Sequence, residues 1–366
     1  MANVYIESTG YAEKQLKPVI HGFLEKLVGD RIKPGDRVLL KPNLLMPATP
    51  EQAIQTHPLV VKAAAEYVLD SGASVWVADS PAAGAFDRVL RMGGYNEALA
   101  GLPVEIFPLQ AVTHVDIGAP YGSIQIAEAA MADMVINLPN LKTHTQMLLT
   151  LGVKNMFGCI VGMQKPEWHF RAGVDRDVFA ALLVRIYQVV NPAATILDGI
   201  RALEGQGPGK RGTPKDVGIV AASGDAISLD MVICRLLGVD PQKVPTCRHA
   251  KAHSLNSHPA EAAGDMPAIS DFNLPEPGDP HFGPRFLQGF LRRHLFARPV
   301  PDMSTCRLCG ECAAYCPASA ITIDRKQVNF DYNQCIRCYC CIEVCPHGAL
   351  QAIETPLGKI KRRLAG

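Results

Sequence analysis

Short apolar runs alternate with longer segments of helical periodicity over the first 240 residues. Runs of apolar and β-branched residues predict strands at 37–40, 74–78, 104–107, 133–138, 195–197 and 217–220. Periodic apolar positions predict helices at 56–71, 86–99, 177–190 and 226–237. This alternation predicts an α/β domain with a largely parallel open sheet and flanking helices.

The pattern changes after residue 240. Residues 241–301 are rich in Pro and Gly, which predicts a wrapping segment or linker that contains one short helix at 286–296. Residues 302–355 hold most of the cysteines and predict a small C-terminal α+β domain. Residues 356–366 form a basic tail, predicted to be a solvated terminus, with partner docking or a membrane-surface role as the alternative. The first domain is therefore predicted to span residues 1–240.

Two cysteine motifs of identical spacing dominate the C-terminal domain. Residues 306–317 read Cys-x-x-Cys-x-x-Cys-x-x-x-Cys-Pro, and residues 335–346 repeat that spacing. Three cysteines of such a motif hold one [4Fe–4S] cluster and the fourth ligates the other cluster, so we predict two clusters, with zinc as the alternative. The predicted ligand sets are Cys306, Cys309, Cys312 and Cys345 for one cluster, and Cys335, Cys338, Cys341 and Cys316 for the other. Cys340 is surplus and is interpreted as a packed thiol, with an alternative ligand or a reactive site as the other possibilities.

The cysteine motifs flank two short predicted strands at 320–324 and 326–330. With Pro317 and Pro346 after the last cysteine of each motif, residues 302–355 resemble the bacterial two-cluster ferredoxin family. The resemblance implies electron transfer, and it implies a ferredoxin or another redox protein as partner.

Charge and composition exclude several classes of function. Lys and Arg total 36 against 35 for Asp and Glu, so a nucleic-acid partner is not expected. No apolar run approaches the roughly 18 residues of a membrane span, and the N-terminus lacks the features of a signal peptide. Clustered cysteines that bind metal also suit a reducing compartment, so we expect a cytoplasmic protein.

Polar residues accumulate where the predicted strands of the first domain end. In open α/β sheets ligands bind at the carboxyl ends of strands, which predicts a site there. Lys142 and His144 are two positions apart and point the same way in an extended segment. The lysines, with hydroxyl groups at Thr143, Thr145 and Thr150, suit an anionic substrate. The predicted binding residues are Lys41, Asn43, Asp79, Ser80, Lys154 and Asn155, and Asn140, Asp198 and Glu204 also follow strands.

Histidines are the candidate proton donors, because reduction of an organic substrate needs protons as well as electrons. We considered His57, His144 and His169, and we predict His144, Lys142 and His57 as the catalytic residues. A capping role also accounts for His57, since it precedes Pro58 at a predicted helix start.

The loop at 205–212 contains a Gly-x-Gly-x-x-Gly match at 207–212. A strand rather than a helix follows it, so a dinucleotide-binding site is rejected, and the chain contains no P-loop motif. The loop is interpreted as a surface loop, with a lid that contacts an anion through Lys210 as the alternative.

Several polar segments of the first domain resemble the DUF362 family, a domain often fused to a two-cluster ferredoxin. The resemblance covers about residues 36–240 and rests on Lys41-Pro-Asn43, Thr56-His-Pro58, Asp79-Ser80, Leu138-Pro-Asn-Leu-Lys-Thr-His144, Thr150-Leu-Gly-Val-Lys-Asn155 and Gly158. It implies the architecture and a shared site at Lys41, Asn43, Lys142, His144, Lys154 and Asn155, and it supplies no reaction. A looser similarity in organisation to nickel-pincer lactate racemases raises isomerisation as an option, although their ligand histidines do not align.

The first functional hypothesis is an iron–sulfur oxidoreductase, a ferredoxin-dependent reductase that passes electrons through two [4Fe–4S] clusters to an anionic organic substrate. The alternatives are an electron-transfer adaptor that binds a partner protein, and a non-redox isomerase or lyase with structural or sensory clusters. A deep basic pocket near one cluster would favour the reductase, and a flat first domain would favour the adaptor.

Overall fold

The computed structural model describes residues 3–173, 175–255, 261–267, 269–275, 294 and 296–365, and the side chains up to residue 360. The helix predicted at 286–296 lies outside the described residues except for positions 294 and 296. The described strands are β1 (Asn3–Ser8), β2 (Arg37–Pro42), β3 (Ser74–Asp79), β4 (Val104–Pro108), β5 (Val112–Asp116), β6 (Ser123–Ala127), β7 (Met134–Leu138), β8 (Asn140–His144), β9 (Leu148–Thr150), β10 (Ala194–Gly205), β11 (Gly212–Ser223), β12 (Glu261–Gly264), β13 (Arg298–Pro301), β14 (Ile321–Ile323), β15 (Val328–Phe330) and β16 (Leu350–Ile353).

Several of the helices carry the 3.6-residue apolar pattern that the sequence predicts. The described helices are α1 (Glu13–Val28), α2 (Pro58–Asp70), α3 (Phe86–Met92), α4 (Tyr95–Ala98), α5 (Gly152–Asn155), α6 (Gln164–Ala172), α7 (Arg176–Val190), α8 (Ala226–Leu236), α9 (Pro245–Ala252), α10 (Glu311–Ala314), α11 (Cys340–Val344) and α12 (Pro356–Ala365). Single 3-10 turns lie at Pro50–Gln52, Glu128–Met131, Met156–Cys159 and Pro241–Lys243.

One large mixed sheet organises the first domain. Its strand order is β12-β1-β11-β10-β7-β2-β3-β4, and β8 pairs with both β10 and β9. The central pairs β10–β7, β7–β2, β2–β3 and β3–β4 are parallel, whereas β10–β11 and β11–β1 are antiparallel. The predicted class, a largely parallel open α/β sheet with flanking helices, is confirmed.

Alternation of side chains along the central strands builds an apolar layer on each face of the sheet. In β2, Val38 and Leu40 belong to a core cluster that includes residues of α1 and α2, whereas Leu39 belongs to a second cluster with α7. Because successive strand residues point to opposite faces, an uninterrupted apolar run signals a strand buried on both faces. The central strands are therefore fixed in the interior and hold their carboxyl ends rigidly.

Four predicted elements differ from the structure. The helix predicted at 86–99 is divided into α3 and α4 at Gly93-Gly94, because Gly94 has a φ of 73°, which a continuing helix cannot accommodate. The strands predicted at 195–197 and 217–220 extend into the twelve-residue strands β10 and β11, which pair as one long hairpin. The segment predicted as a linker from residue 241 contains a 3-10 turn and then α9 near its start. Packing on α7 stabilises α9.

The C-terminal domain has an internal two-fold pattern. The predicted strands are confirmed as the antiparallel pair β14–β15, and a second antiparallel pair, β13–β16, accompanies it. A short helix follows the second cysteine of each motif: α10 comes after Cys309, and α11 comes after Cys338. The repeated cysteine spacing therefore corresponds to a repeated local structure.

The tip of the β10–β11 hairpin docks the C-terminal domain onto the sheet. Arg211 donates hydrogen bonds to the carbonyl of Gly348 at 3.1 Å and to Oε1 of Gln351 at 3.0 Å. Beside this contact, Val344 of α11 packs in a buried apolar cluster with Met46 and Leu203 of the first domain. The loop predicted as a surface loop is thus a contact between the domains.

Candidate functional site

A cavity of about 60 Å³ lies at the carboxyl ends of β2, β3 and β8. The predicted residues that line it are Lys41, Asn43, Asp79, Ser80, Lys142, His144, Thr150, Lys154, Asn155 and His169. The C-terminal domain closes the opposite side with Tyr315, Cys340 and Glu343. The structure therefore brings together most of the polar residues that the sequence placed at strand ends, and it adds a wall from the iron–sulfur domain.

A buried ion pair forms one end of the cavity. Nζ of Lys41 lies 2.9 Å from Oδ1 of Asp79, and the side chain of Lys41 is fully buried. Burial opposes ionisation of Asp79, but the ammonium groups of Lys41 and Lys165 outweigh it and lower the pKa of the carboxyl. Gly158 packs directly against this pair, and a Cβ at that position would collide with both side chains. The glycine is required by this close approach.

Lys142 is held by a network of amide side chains. Its Nζ donates to Oδ1 of Asn43 at 2.6 Å and to the carbonyl of Ile54 at 2.8 Å. Nδ2 of Asn43 donates in turn to Oδ1 of Asn155 at 2.9 Å. Burial, together with the nearby charge of Lys154, lowers the pKa of Lys142 to about 7. This amine therefore exchanges a proton readily near neutral pH.

Two further lysines add positive charge. Lys154 lines the cavity, and burial lowers the pKa of Lys154. Lys165 donates to the carbonyl of Ser80, and burial lowers the pKa of Lys165 to about 8. The cavity thus has four lysines against the two carboxylates of Asp79 and Glu343. An anion is the ligand that this imbalance favours.

His144 contacts Glu343 across the domain boundary. Its Nδ1 accepts hydrogen bonds from the backbone amides of Gln146 and Met147, at 3.1 and 3.2 Å, so the neutral ring carries its proton on Nε2. Nε2 lies 2.7 Å from Oε1 of Glu343. Burial lowers the pKa of His144 to about 4, so the imidazole is neutral at pH 7.

The carboxylate of Glu343 remains ionised in this environment. Burial opposes its ionisation, but His144 and Lys154 outweigh that effect and hold the pKa of Glu343 far below its usual range. Neither Nε2 of His144 nor Oε1 of Glu343 has a partner with good hydrogen-bond geometry among the described residues. The two atoms nevertheless lie 2.7 Å apart, and both residues line the cavity.

Two other buried polar atoms at the cavity wall have no partner among the described residues. They are Oγ1 of Thr150 and Nδ1 of His169. Burial lowers the pKa of His169 to about 3, so its ring is neutral at pH 7. Because buried polar groups are normally hydrogen-bonded, these two atoms indicate a binding site rather than a packing defect.

His57, predicted as a catalytic residue, is not among the residues that line the cavity. Its ring stacks on Tyr11 with 3.6 Å between centroids, and its Nδ1 accepts from the backbone amide of Leu59 at 3.3 Å. The backbone amide of His57 donates to Oδ2 of Asp198 at 2.8 Å. A histidine at the N-terminus of α2 therefore acts as a helix cap, and the pattern Thr56-His57-Pro58 is explained by that role.

Other predicted polar residues also have structural roles. Asn140 donates to the carbonyl of Ala53, and Glu204 accepts from Asn273. The hydroxyls of Thr143 and Thr145 bind backbone groups of Leu203 and Gly207, which anchors the 205–212 loop. Pro208 of that loop lines the cavity, whereas Lys210 donates to Gln52 outside it. The loop closes the site without contributing a charge.

Four residues of the site were not identified from the sequence: Lys165, Tyr315, Cys340 and Glu343. Lys165 and His169 are four positions apart on α6 and share one helix face, a spacing that could have paired them. The other three come from the docked C-terminal domain. Of these three, only Cys340 stood out in the sequence, because it is an extra cysteine outside the repeated spacing.

The two predicted cysteine sets are each assembled in space. Cys306, Cys309, Cys312 and Cys345, hereafter the Cys309 quartet, line one cavity of about 20 Å³. Cys316, Cys335, Cys338 and Cys341, hereafter the Cys338 quartet, line another of about 20 Å³, which Cys340 lines as well.

Backbone amides support both quartets at matching positions. The amide of Ala320 donates to Sγ of Cys316 at 3.4 Å, and that of Ala349 donates to Sγ of Cys345 at 3.2 Å. Among the described residues, no group of three or more His, Cys, Asp or Glu side chains could hold a single metal ion. Four thiols around one cavity, with amide donors to sulfur, fit an iron–sulfur cluster, which has several metal atoms to distribute among its ligands.

The fold and the site define an α/β domain whose strand-end cavity is closed by an iron–sulfur domain of the ferredoxin type. The chain belongs to the DUF362 family, because residues 38–235 match the family model described as "Domain of unknown function (DUF362)". Residues 298–346 match a 4Fe-4S dicluster domain. Both resemblances seen in the sequence are thereby confirmed.

Several curated proteins are similar to this chain. The "Thylakoid-associated protein sll1697" of Synechocystis is 38% identical over 312 residues, which are 81% of this chain and 95% of that protein. "Electron transport protein HydN" of Escherichia coli is 36% identical over 60 residues, 16% of this chain and 34% of that protein. "Pyruvate synthase subunit PorD" of Methanocaldococcus jannaschii is 33% identical over 58 residues, 16% of this chain and 67% of that protein.

A comparison with solved structures finds the lactate racemase apoprotein from Thermoanaerobacterium thermosaccharolyticum. The TM-score is 0.40 at 12% identity, over 61% of this chain and 54% of that chain, and a likeness of this size carries no functional argument. None of the described helices combines the length and the apolar character that a membrane crossing requires.

Proposed function

We propose that this protein is an iron–sulfur oxidoreductase that passes electrons through two [4Fe–4S] clusters to a small anionic organic substrate bound in the cavity. One observation carries the proposal: Cys340 lines both the basic cavity and the cavity of the Cys338 quartet. A binding site for an anion and a cluster site thus have a wall in common. A buried basic cavity supports this function over an adaptor with a flat docking surface.

The clusters would be held by the Cys309 and Cys338 quartets and would supply electrons one at a time. Lys154 binds the anionic group of the substrate, because this lysine lines the cavity and is buried there. The Lys41–Asp79 pair is already satisfied and orients the end of the cavity. Thr150 and His169 offer hydrogen bonds to the polar atoms of the substrate.

Proton supply falls to Lys142 in this proposal. Reduction of a carbon–carbon or carbon–oxygen double bond takes two electrons and two protons, and a general acid with a pKa near the working pH transfers a proton efficiently. Lys142, with a pKa of about 7, meets this requirement better than His144, which is neutral at that pH. His144 is therefore assigned to substrate positioning, and the second proton comes from solvent or Lys165, whose pKa is about 8.

A one-electron carrier protein of the ferredoxin type is the proposed partner. The regions shared with HydN and PorD are 60 and 58 residues long, which is about the length of the iron–sulfur domain. HydN is named as an electron transport protein. Since the cluster cysteines need a reducing environment, we keep the cytoplasm as the proposed location.

The test begins with the anion. Small molecules that co-purify with anaerobically prepared protein are identified, and these, with a panel of 2-oxo and unsaturated short-chain carboxylates, are added to dithionite-reduced protein. A substrate should reoxidise the clusters, seen as recovery of their visible absorbance, and should do so more slowly in Lys154→Met. Lys14→Met, which removes an exposed lysine of α1, is the matched control and should behave as the wild type. Turnover that proceeds equally fast with oxidised clusters would replace the reductase with a non-redox enzyme.

A further inference from the structure

We propose that the two cysteine quartets have different and ordered roles: electrons enter the protein at the Cys309 quartet and reach the cavity from the Cys338 quartet. The proposal rests on the proposed function and adds to it the direction of electron flow. Three observations on the described residues support it: a shared wall, a difference in exposure and a difference in charge.

Within the described part of the chain, the substrate cavity shares a lining residue with the cavity of the Cys338 quartet and none with that of the Cys309 quartet. Cys340, between the quartet members Cys338 and Cys341, is almost fully buried and lines both cavities. Tyr315, next to Cys316 of the same quartet, also lines the substrate cavity. Among the described residues, none that lines the cavity of the Cys309 quartet lines the substrate cavity. The sequence repeats the two motifs, but domain docking brings only one quartet against the site.

The Cys309 quartet lies closer to solvent. Cys309 and the nearby Arg307 are exposed, whereas Cys338, which is equivalent to Cys309 in the second motif, is buried. The third cysteine of each motif is buried in both quartets. A carrier protein can approach an exposed cysteine, since electron transfer between proteins needs a short distance but no large interface. The quartet with the exposed Cys309 therefore suits electron entry, and the quartet next to the cavity wall suits delivery to the cavity.

Charge distinguishes the motifs at equivalent positions. Leu308 and Arg337 each precede the second cysteine of their motif, and both have a positive φ, 52° and 60°. The side chain of Arg337 is 5% exposed, and its three guanidinium nitrogens have no hydrogen-bond partner among the described residues. Its Cζ lies 5.1 Å from the ring centroid of Tyr332.

A buried cation beside one quartet favours reduction there, because reduction adds a negative charge. The first motif has an apolar leucine at this position. An electron should therefore move toward the Cys338 quartet. In each passage the carrier protein loses one electron, the Cys309 site gains and loses it, and the Cys338 site gains it. No bond or proton changes between the quartets.

The test is a redox titration followed by electron paramagnetic resonance, on reconstituted protein without substrate. Arg307→Met marks the Cys309 quartet, whose cavity Arg307 lines, and Arg337→Leu marks the Cys338 quartet, with the residue that the first motif has at that place. Lys154→Met removes the cation that faces Cys340 from the substrate cavity. Each substitution should lower one of two midpoint potentials, because it destabilises the reduced state nearest to it.

We expect Arg337→Leu and Lys154→Met to lower the same potential, which is the higher of the two, and Arg307→Met to lower the other. A tenfold change in the reduction equilibrium corresponds to about 59 mV for one electron, and shifts of that order are expected. Lys14→Met should change neither potential. Leu308→Arg should raise the lower potential and reduce the gap.

The proposal is wrong if Lys154→Met shifts the potential that Arg307→Met shifts, or shifts both or neither. It is also wrong if Arg337→Leu leaves both potentials unchanged, or if the higher potential is the one that Arg307→Met lowers. Because the titration uses no substrate, its result is independent of whether any carboxylate reoxidises the clusters. A failure of the proposed function and a failure of this inference can therefore be told apart.

Discussion

His144 and Glu343, from different domains and 199 positions apart in the chain, meet at 2.7 Å in the interior. The histidine belongs to β8 of the sheet and the glutamate to α11 between two cluster cysteines. Closure of the cavity thus depends on docking of the C-terminal domain. The contact between His144 and Glu343 joins the two domains and also affects the pKa values of both residues at the cavity wall. A change at this contact should be detected both in stability and in the site.

The first prediction concerns stability toward acid. The pKa of His144 is lowered to about 4 in the fold, from 6.5 when exposed, so the folded state binds fewer protons than the unfolded state between these values. The stability that neutral His144 contributes is complete above pH 6.5 and decreases as the pH falls toward 4. The decrease is about 1.4 kcal/mol per pH unit once the pH is well below 6.5. Denaturant unfolding of reconstituted protein at pH 7 and pH 5.5 should reveal this slope.

The matched variant is His144→Asn, which can keep an acceptor for the amides of Gln146 and Met147 but does not titrate. Its stability should be lower than that of the wild type at pH 7, and should depend less on pH between 7 and 5.5. An unchanged slope would assign the acid sensitivity to other groups, such as His169 or the clusters themselves.

How much of this site the sequence could predict depends on how local the signal is. Three cysteines of each quartet follow from spacing within one motif, and the fourth follows from the crossed pattern of two-cluster motifs. The members of each predicted quartet line one cavity, and Cys340 lines the second cavity as well. Lys142 and His144 were predicted to lie together because a strand repeats every two residues, and both line the cavity. Local patterns of this kind can be recognised without knowledge of the tertiary structure.

The residues that the sequence could not place depend on long-range packing. Glu343 and Tyr315 reach the cavity only through docking of the C-terminal domain, which involves Val344 in an apolar cluster and Arg211 at the hairpin tip. His57 was predicted to join the site from local chemistry, but it does not line the cavity. An imidazole is suited to proton donation, but Nδ1 of His57 accepts a hydrogen bond from the backbone amide of Leu59, and its ring stacks on Tyr11.

The second prediction concerns Gly158. Replacement by Ala should expel the Lys41–Asp79 pair from its present geometry, since the new methyl group would overlap both side chains. Overpacking of this kind costs about 1–3 kcal/mol of stability, and anion binding should weaken in parallel. Calorimetric melting and anion titration measure the two effects. Gly22→Ala on α1, where a Cβ meets nothing within 4 Å, is the control and should be neutral or slightly stabilising.

The third prediction concerns Lys142. Its ammonium form, required both for proton donation and for attraction of an anion, decreases as the pH rises through about 7. The rate of cluster reoxidation by a substrate should therefore fall above pH 7 in the wild type. Lys142→Gln keeps hydrogen-bonding capacity toward Asn43 but cannot titrate, so its residual rate should lose the decrease near pH 7 and keep only the decrease that Lys165 causes near pH 8. A wild-type rate that is flat from pH 6 to 8.5 would contradict the assigned role.

The last prediction separates the cluster ligands from the surplus cysteine. Anaerobically reconstituted protein should contain about eight iron atoms and eight acid-labile sulfides per chain. Cys312→Ala and Cys341→Ala should each lose about half of both, since they belong to different quartets. Cys340→Ala should keep the full complement, because Cys340 lies in the wall between the Cys338 quartet and the substrate cavity rather than in a predicted ligand set. Iron and sulfide analysis measures all three variants. Loss of a cluster in Cys340→Ala with retention in Cys341→Ala would exchange the roles of these neighbouring thiols, and it would place a ligand directly at the cavity wall.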